Sequence, residues 1–224
     1  MNGMDNRYRW KSPGSPQEAV ALQKQLAGRV IRFGEITSPE YIAGIDISIG
    51  KHVADAQSAI VVLKYPGLEV AEIKKARGEI GFPYIPGLLS FREIPLILEA
   101  WQKLTVVPDV IMVDGQGIAH PRRIGLASHL GILVDIPSIG CAKSRLCGHY
   151  EDPSEEPGCF TNLVDNGEII GAALRTKNKV NPLFISVGHK ISLENSIYWV
   201  MECCRGYRLP QPTRLAHLAA GGNL

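Results

Sequence analysis

The sequence predicts an α/β fold, a single mixed sheet with helices on both faces, and three observations carry that expectation. Three β-branched runs follow one another with only short, turn-rich breaks, the pattern of an antiparallel meander. From residue 90 onward, helical and strand-like segments alternate, which adds parallel strands to the meander. Among them "PDVIMVDG" is short and continuously apolar, as a strand buried on both faces should be.

The elements follow in chain order. "SPQEAVALQKQLAGRV" is a helix with Ser15 as N-cap, Pro16 at its first position and Glu18 three residues after the cap, a capping box. Val20, Leu22 and Leu26 give it an apolar stripe. The strands "YIAGIDISI", "AQSAIVVLKY" and "LEVAEIKKARGEI" come next, separated by "GKHVAD" and "PGL". "SFREIPLILEAWQKL" is a helix with Pro95 within its first turns, and "PDVIMVDG" is the fourth strand. "RIGLASHLGI" is a helix and "LVDIPSIG" a strand. "LVDNGEIIGAAL" reads as a hairpin turning at Asn166-Gly167, and "PLFISVG" as a further strand. Two helices close the chain, "SLENSIYWVMECC" and "QPTRLAHLA", the second opened by Pro212. No repeat, linker or low-complexity segment divides residues 1–224, so one domain is expected.

Composition narrows the function. The 224 residues are 45% apolar and 21% charged, close to the usual globular values. No apolar run approaches the roughly 20 residues of a membrane span. The opening "MNGMDNRYRW" lacks a secretory signal, which points to the cytoplasm. Five cysteines without a C-x-x-C pair read as reduced thiols rather than a disulfide framework or zinc site, with Cys203 and Cys204 filling a helix–sheet contact. A net charge of +2 neither argues for nor against nucleic acid. Without a coiled-coil pattern, a monomer is expected.

Two acids stand out. Asp46 in "AGIDIS" and Asp114 in "IMVDGQG" end or interrupt apolar strands, where an ionised carboxylate is costly unless paired or bound to a cation. If the first and fourth strands are neighbours, both can face one cation at the carboxyl ends of the strands. Glu93 could add a third oxygen, and hard oxygen ligands suit Mg²⁺ or Mn²⁺. Such ions can clamp the attacking and leaving oxygens of a phosphodiester displacement. Competing readings exist: a strand-end Asp commonly caps a turn, and "SFRE" is itself a capping box with Ser90 as N-cap and Glu93 at N3. On spacing alone, capping is the stronger reading for Glu93.

The stretch "GFPYIPGLLSFREIP" holds aromatic and apolar residues between prolines, an odd tip for a soluble protein. Together with "IAGIDIS", "VDGQGIAHPRRIGLASHLGI", "GCAKSRLCG", "NPLFISVGHKIS" and "GYRLPQPTRLAH", in this order and spacing, it resembles the endonuclease V family, of bacterial type, over nearly the whole chain. The resemblance implies an RNase H-like fold and Mg²⁺-dependent cleavage (Mn²⁺ as a possible substitute) at the second phosphodiester bond 3′ to a deaminated base, chiefly hypoxanthine. By position it implies Asp46, Asp114 and Glu93 as the metal site, with His217 and Lys143 completing the catalytic set. The implied partner is double- or single-stranded DNA carrying such a base, with inosine-containing RNA as the alternative substrate.

The resemblance also makes Pro83, Tyr84, Ile85 and Pro86 a wedge that enters the duplex. Two prolines stiffen such a loop, so inserting it loses little entropy. A flipped base is implied to settle near Gly87, Leu88-Leu89 and Gly115-Gln116-Gly117, with His120, Arg122 and Gly125 lining the pocket or meeting phosphate. Gly115 and Gly117 would let backbone approach the ligand closely. Two rivals are weaker. "AGIDISIG" resembles a phosphate-binding hairpin of actin-like phosphotransferases, but those need two such domains. A non-catalytic nucleic-acid binder would not need the acidic set.

Overall fold

The computed structural model describes residues 10, 12–50 and 56–224. The "GKHVAD" turn beyond Gly50 and the opening segment other than Trp10 fall outside the described residues. In chain order the elements are α1 (Pro16–Ala27), β1 (Tyr41–Ile49), β2 (Ala56–Lys64), β3 (Glu69–Gly78), α2 (Leu89–Trp101), β4 (Val110–Val113), α3 (Leu126–Val134), β5 (Ser138–Ala142), β6 (Phe160–Asp165), β7 (Glu168–Leu174), β8 (Leu183–His189), α4 (Leu193–Glu202) and α5 (Gln211–Ala220).

All eight strands join one sheet in the order β3-β2-β1-β4-β5-β8-β7-β6. The meander is as expected, with β1–β2 and β2–β3 antiparallel. β4 lies parallel to β1, and β5 parallel to β4. The parallel part stops there. β8 returns antiparallel to β5, and β7 and β6 continue antiparallel. The β6–β7 hairpin turns at Asn166-Gly167, both in the left-handed region at φ 52 and 79, a turn whose twist suits a tight hairpin.

The expected strand "LVDIPSIG" is shorter than the sequence suggests. Leu133 and Val134 finish α3, Asp135 ends that helix in a left-handed conformation, and β5 begins only at Ser138. The α1 cap forms in a variant of the expected box. Ser15 Oγ accepts from Glu18 N–H, while the Glu18 carboxylate accepts from Gly14 N–H rather than from Ser15.

Strand alternation divides the core. Ile42, Val110 and Met112 face Trp199 and Val200 of α4 and Leu215 and Ala216 of α5. Ala43, Ile45, Ile111 and Val113 face Ile94 and Ile97 of α2 and Leu126 and Leu130 of α3. Helices therefore cover both faces. Cys203 is buried in the first cluster, and all five cysteines are free thiols. Gly44 shares the Ile42 face, and a Cβ there would lie 1.9 Å from the Pro212 carbonyl oxygen. The start of α5 can rest directly on β1 only because residue 44 has no side chain. Among the described residues, no helix is long and apolar enough to cross a membrane.

Candidate active site

The parallel register aligns Ile45 with Val113, so Asp46 and Asp114 emerge side by side at the ends of the aligned strands. The Asp114 N–H donates to the Ile45 carbonyl at 3.0 Å, fixing that register at the site itself. Alternation turns both aspartates to the face covered by α5, two residues beyond Gly44 and Met112 respectively. His217, near the end of α5, donates from Nδ1 to Asp46 Oδ2 at 2.7 Å. Lys143, one residue past β5, places its ammonium against Asp114 Oδ2. Its Nζ lies 3.4 Å from His217 Nδ1. The shorter bond assigns the Nδ1 proton to Asp46, so lysine and imidazole are neighbours there rather than bonded.

Among the described residues, ligand atoms of Asp46, Asp114 and His217 all lie within 4.8 Å of one another. Glu93 comes from α2 on the opposite layer. Its spacing suggests a cap, yet α2 starts at Leu89 with Leu88 as an N-cap that offers no side-chain bond. Ser90 is already inside the helix, and its Oγ pairs with His129 Nδ1 at 3.0 Å. The capping reading of Glu93 is thereby overturned.

Electrostatics confirm that the carboxyls form one group. Burial, then repulsion from Asp46 and Asp114, pushes the Glu93 carboxyl up to about 8. Burial and the Asp114 charge raise Asp46 as well, against the lowering effect of its bonds to His217 and to Ile47 N–H. Glu93 and Asp46 are both disfavoured as carboxylates by burial and by the neighbouring acidic charge, so the site is short of positive charge. The oxygen donors, two carboxylates with a third nearby, fit a divalent cation, with the His217 imidazole beside them.

Beside Asp114 lies a cavity of about 130 Å³, lined by Gln23, Tyr84, Ile85, Pro86, Gly87, Leu89, Ser90, Gly115, Gln116, His120, Ile124, Gly125, Leu126 and Leu146. Tyr84 stands out at 71% exposed. Its neighbours anchor the loop: Phe82 packs on Phe91 at 5.8 Å between ring centroids, and Ile85 joins a cluster with Leu88 and Ala19. Gly87 O is clamped by three donors, Gln23 Nε2 at 2.9 Å, Arg122 Nη2 at 2.7 Å and His120 Nε2 at 3.0 Å. His120 Nδ1 accepts from Arg122 N–H, so the ring is neutral, and burial with the Arg122 charge pushes it down to about 4.

Other expected contacts lie elsewhere. Of the expected pair Leu88-Leu89, Leu88 is core and only Leu89 lines the cavity. Pro83 borders a different depression beside Phe82 and Arg92. Arg122 acts from behind, on Gly87. At Gly117 a Cβ would strike the Val187 carbonyl oxygen at 2.1 Å, so the glycine there answers to internal packing. Gln116 donates from Nε2 to Ser144 O at 2.8 Å, while its buried Oε1 has no partner among the described residues. Gln23 was not expected. Its one visible cue is a polar residue in line with Ala19 and Leu26 on the buried face of α1.

Residues 24–218 match the Endonuclease V family. Endonuclease V of Dehalococcoides mccartyi is 50% identical over 206 residues, 92% of each chain. The crystal structure of endonuclease V from Streptomyces avermitilis matches with a TM-score of 0.90 at 40% identity, covering 94% of this chain and 93% of the other. Endonuclease V of Ciona intestinalis, solved with a 24-mer DNA containing an inosine followed by a ribo-adenosine, matches at 28% identity and a TM-score of 0.80, over 92% of this chain and 96% of that one. The family match over residues 24–218, the identity to the curated relative and the structural match agree, and the chain belongs to the endonuclease V family.

Proposed function

We propose that this protein nicks DNA at the second phosphodiester bond 3′ to a deaminated base, chiefly hypoxanthine, using Mg²⁺, with Mn²⁺ able to substitute. One observation carries the reading: a single small cavity runs from the exposed Tyr84 to Gly115, the residue next to the Asp46–Asp114–His217 cluster. Adjacency of Gly115 and Asp114 in the chain supports reading the cavity as the lesion pocket of the neighbouring hydrolytic centre. The inosine-bearing DNA of the Ciona relative supports the choice of lesion.

Tyr84 enters the duplex and stacks where a base was, offsetting part of the unstacking energy. A mispaired base is cheaper to extrude, which favours the lesion before any contact is made. In the cavity, N1–H and O6 of hypoxanthine meet backbone partners near Gly115–Gly117, a pairing that adenine, without a donor at N1, cannot satisfy. Asp46 and Asp114 hold the cation, with Glu93 behind them. A divalent cation held there would supply Lewis-acid charge to the scissile phosphate. His217, oriented through Nδ1–H to Asp46, presents Nε2 to take the proton of the attacking water. Lys143 steadies the negative charge on the 3′-oxygen as the P–O bond breaks, and that oxygen takes a proton from solvent, leaving 3′-hydroxyl and 5′-phosphate ends.

The test is cleavage of a labelled duplex carrying one inosine, with Mg²⁺ and with EDTA, beside an undamaged duplex and an inosine-containing RNA of the same sequence. The expected result is a nick one nucleotide beyond the lesion that EDTA abolishes. Tight binding without cutting would move the chain to the binder class. Faster cutting of the RNA would reverse the substrate order.

A further inference from the structure

We infer that Arg208 is a positioning residue that holds Lys143 against the acidic cluster, an assignment that rests on the nuclease reading above. Arg208 sits in "GYRLP", three residues before α5 begins. Its Nη2 donates to Lys143 O at 2.7 Å and to Pro182 O at 2.9 Å, and its Nε donates to Asn181 O at 2.8 Å. Its own carbonyl accepts from Thr176 Oγ1 at 2.6 Å. One planar guanidinium thus joins the residue that carries the catalytic ammonium to the segment leading into β8. Its backbone is pinned beyond β7, on the same stretch that delivers His217.

The consequence lies in the geometry of Lys143. A lysine side chain is long and rotamer-rich, so its ammonium stays on Asp114 only if its backbone is held still. Lys143 lies outside the β5 ladder, which ends at Ala142. The Arg208 bond to its carbonyl takes over where the ladder stops. The fork suits this task, because three carbonyl oxygens are met from two edges of one rigid plane, which an ammonium cannot reproduce. A misplacement of about 1 Å at such a group is enough to slow chemistry about 100-fold.

The experiment compares Arg208→Ala, Lys143→Ala and the double variant by single-turnover nicking of the inosine duplex, with duplex affinity by anisotropy and melting by circular dichroism. Arg208→Ala is expected to slow nicking about 10- to 100-fold while affinity stays within about threefold. In the Lys143→Ala background, removing Arg208 is expected to cost less than about threefold more, because its effect travels through Lys143. Losses that multiply in the double variant overturn the inference, as does weakened affinity with an unchanged rate. If Arg208→Ala does not fold, Arg208→Lys keeps the charge and one bond. That variant should melt near the wild type and nick slowly, and wild-type rates in it overturn the assignment. A wild-type protein that does not nick overturns the nuclease reading and this one together; an active wild type with multiplicative losses overturns this one alone.

Discussion

Replacing Tyr84 with alanine separates binding from stability, because the ring contributes little to the fold. It is 71% exposed, while Phe82, Ile85 and Leu88 carry the packing of the loop. Truncation of an exposed side chain outside the core changes stability by no more than about 0.5 kcal/mol, or about 1–2 °C in melting temperature for a chain of this size. Stacking of an aromatic on a base is worth about 1–3 kcal/mol. At about 1.4 kcal/mol per tenfold, Tyr84→Ala should weaken binding of an inosine duplex about 5- to 150-fold. The loss on undamaged duplex should be much smaller, since no base leaves the stack there. Fluorescence anisotropy in EDTA, on both duplexes, reads the two affinities without cleavage. Equal losses on both duplexes, or unchanged affinity for inosine, would refute the wedge. A melting drop as large as that of a core truncation would refute the claim that the tip is free of the fold.

Two further predictions concern charge. Glu93→Gln should abolish nicking yet stabilise the cation-free protein. The wild-type carboxyl, held at about 8 in the fold against 4.5 outside it, loses stability as pH rises through that interval, and glutamine has no proton to lose. At about pH 7 the gain has a ceiling of about 3 kcal/mol, measurable by urea unfolding in EDTA, and a destabilised variant would count against the burial argument. His120 behaves in the opposite sense. Its folded value of about 4 lies below the ordinary 6.5, so the stability it contributes is complete above about 6.5 and is lost as pH falls toward 4. The wild type should therefore lose up to about 3 kcal/mol more than His120→Gln between about pH 7 and pH 4, and parallel curves would show that the ring is not held neutral.

What could be read from the sequence divides along physical lines. Asp46 and Asp114 were visible because a carboxylate in a β-branched strand has an energetic cost that demands a reason. Their adjacency depended on strand order, which the meander followed by "PDVIMVDG" suggested and the β1–β4 register supplies. Glu93 was misleading for a local reason: Ser-x-x-Glu spacing describes a cap wherever the helix happens to begin, and here it begins two residues earlier, leaving Ser90 to His129. His217 carries no signal of its own on an amphipathic helix. Only the resemblance selected it, and only Gly44 under α5 explains how it reaches Asp46. The β6–β7 hairpin was legible at Asn166-Gly167, but the antiparallel seating of β8 on β5 pairs residues far apart in sequence, such as Ser138 with His189, which local patterns do not encode. Gln23, Leu146 and Arg208 likewise act through contacts that close only in three dimensions.

The central claim is that Asp46 and Asp114 form the hydrolytic centre while the tip and cavity bind the lesion. Its most direct test is one inosine duplex assayed for both binding and cutting with Asp46→Asn and Asp114→Asn in saturating Mg²⁺. Wild-type-like affinity with nicking reduced by at least about 100-fold in each variant is the predicted result. Nicking at near wild-type rates by either variant would contradict the account.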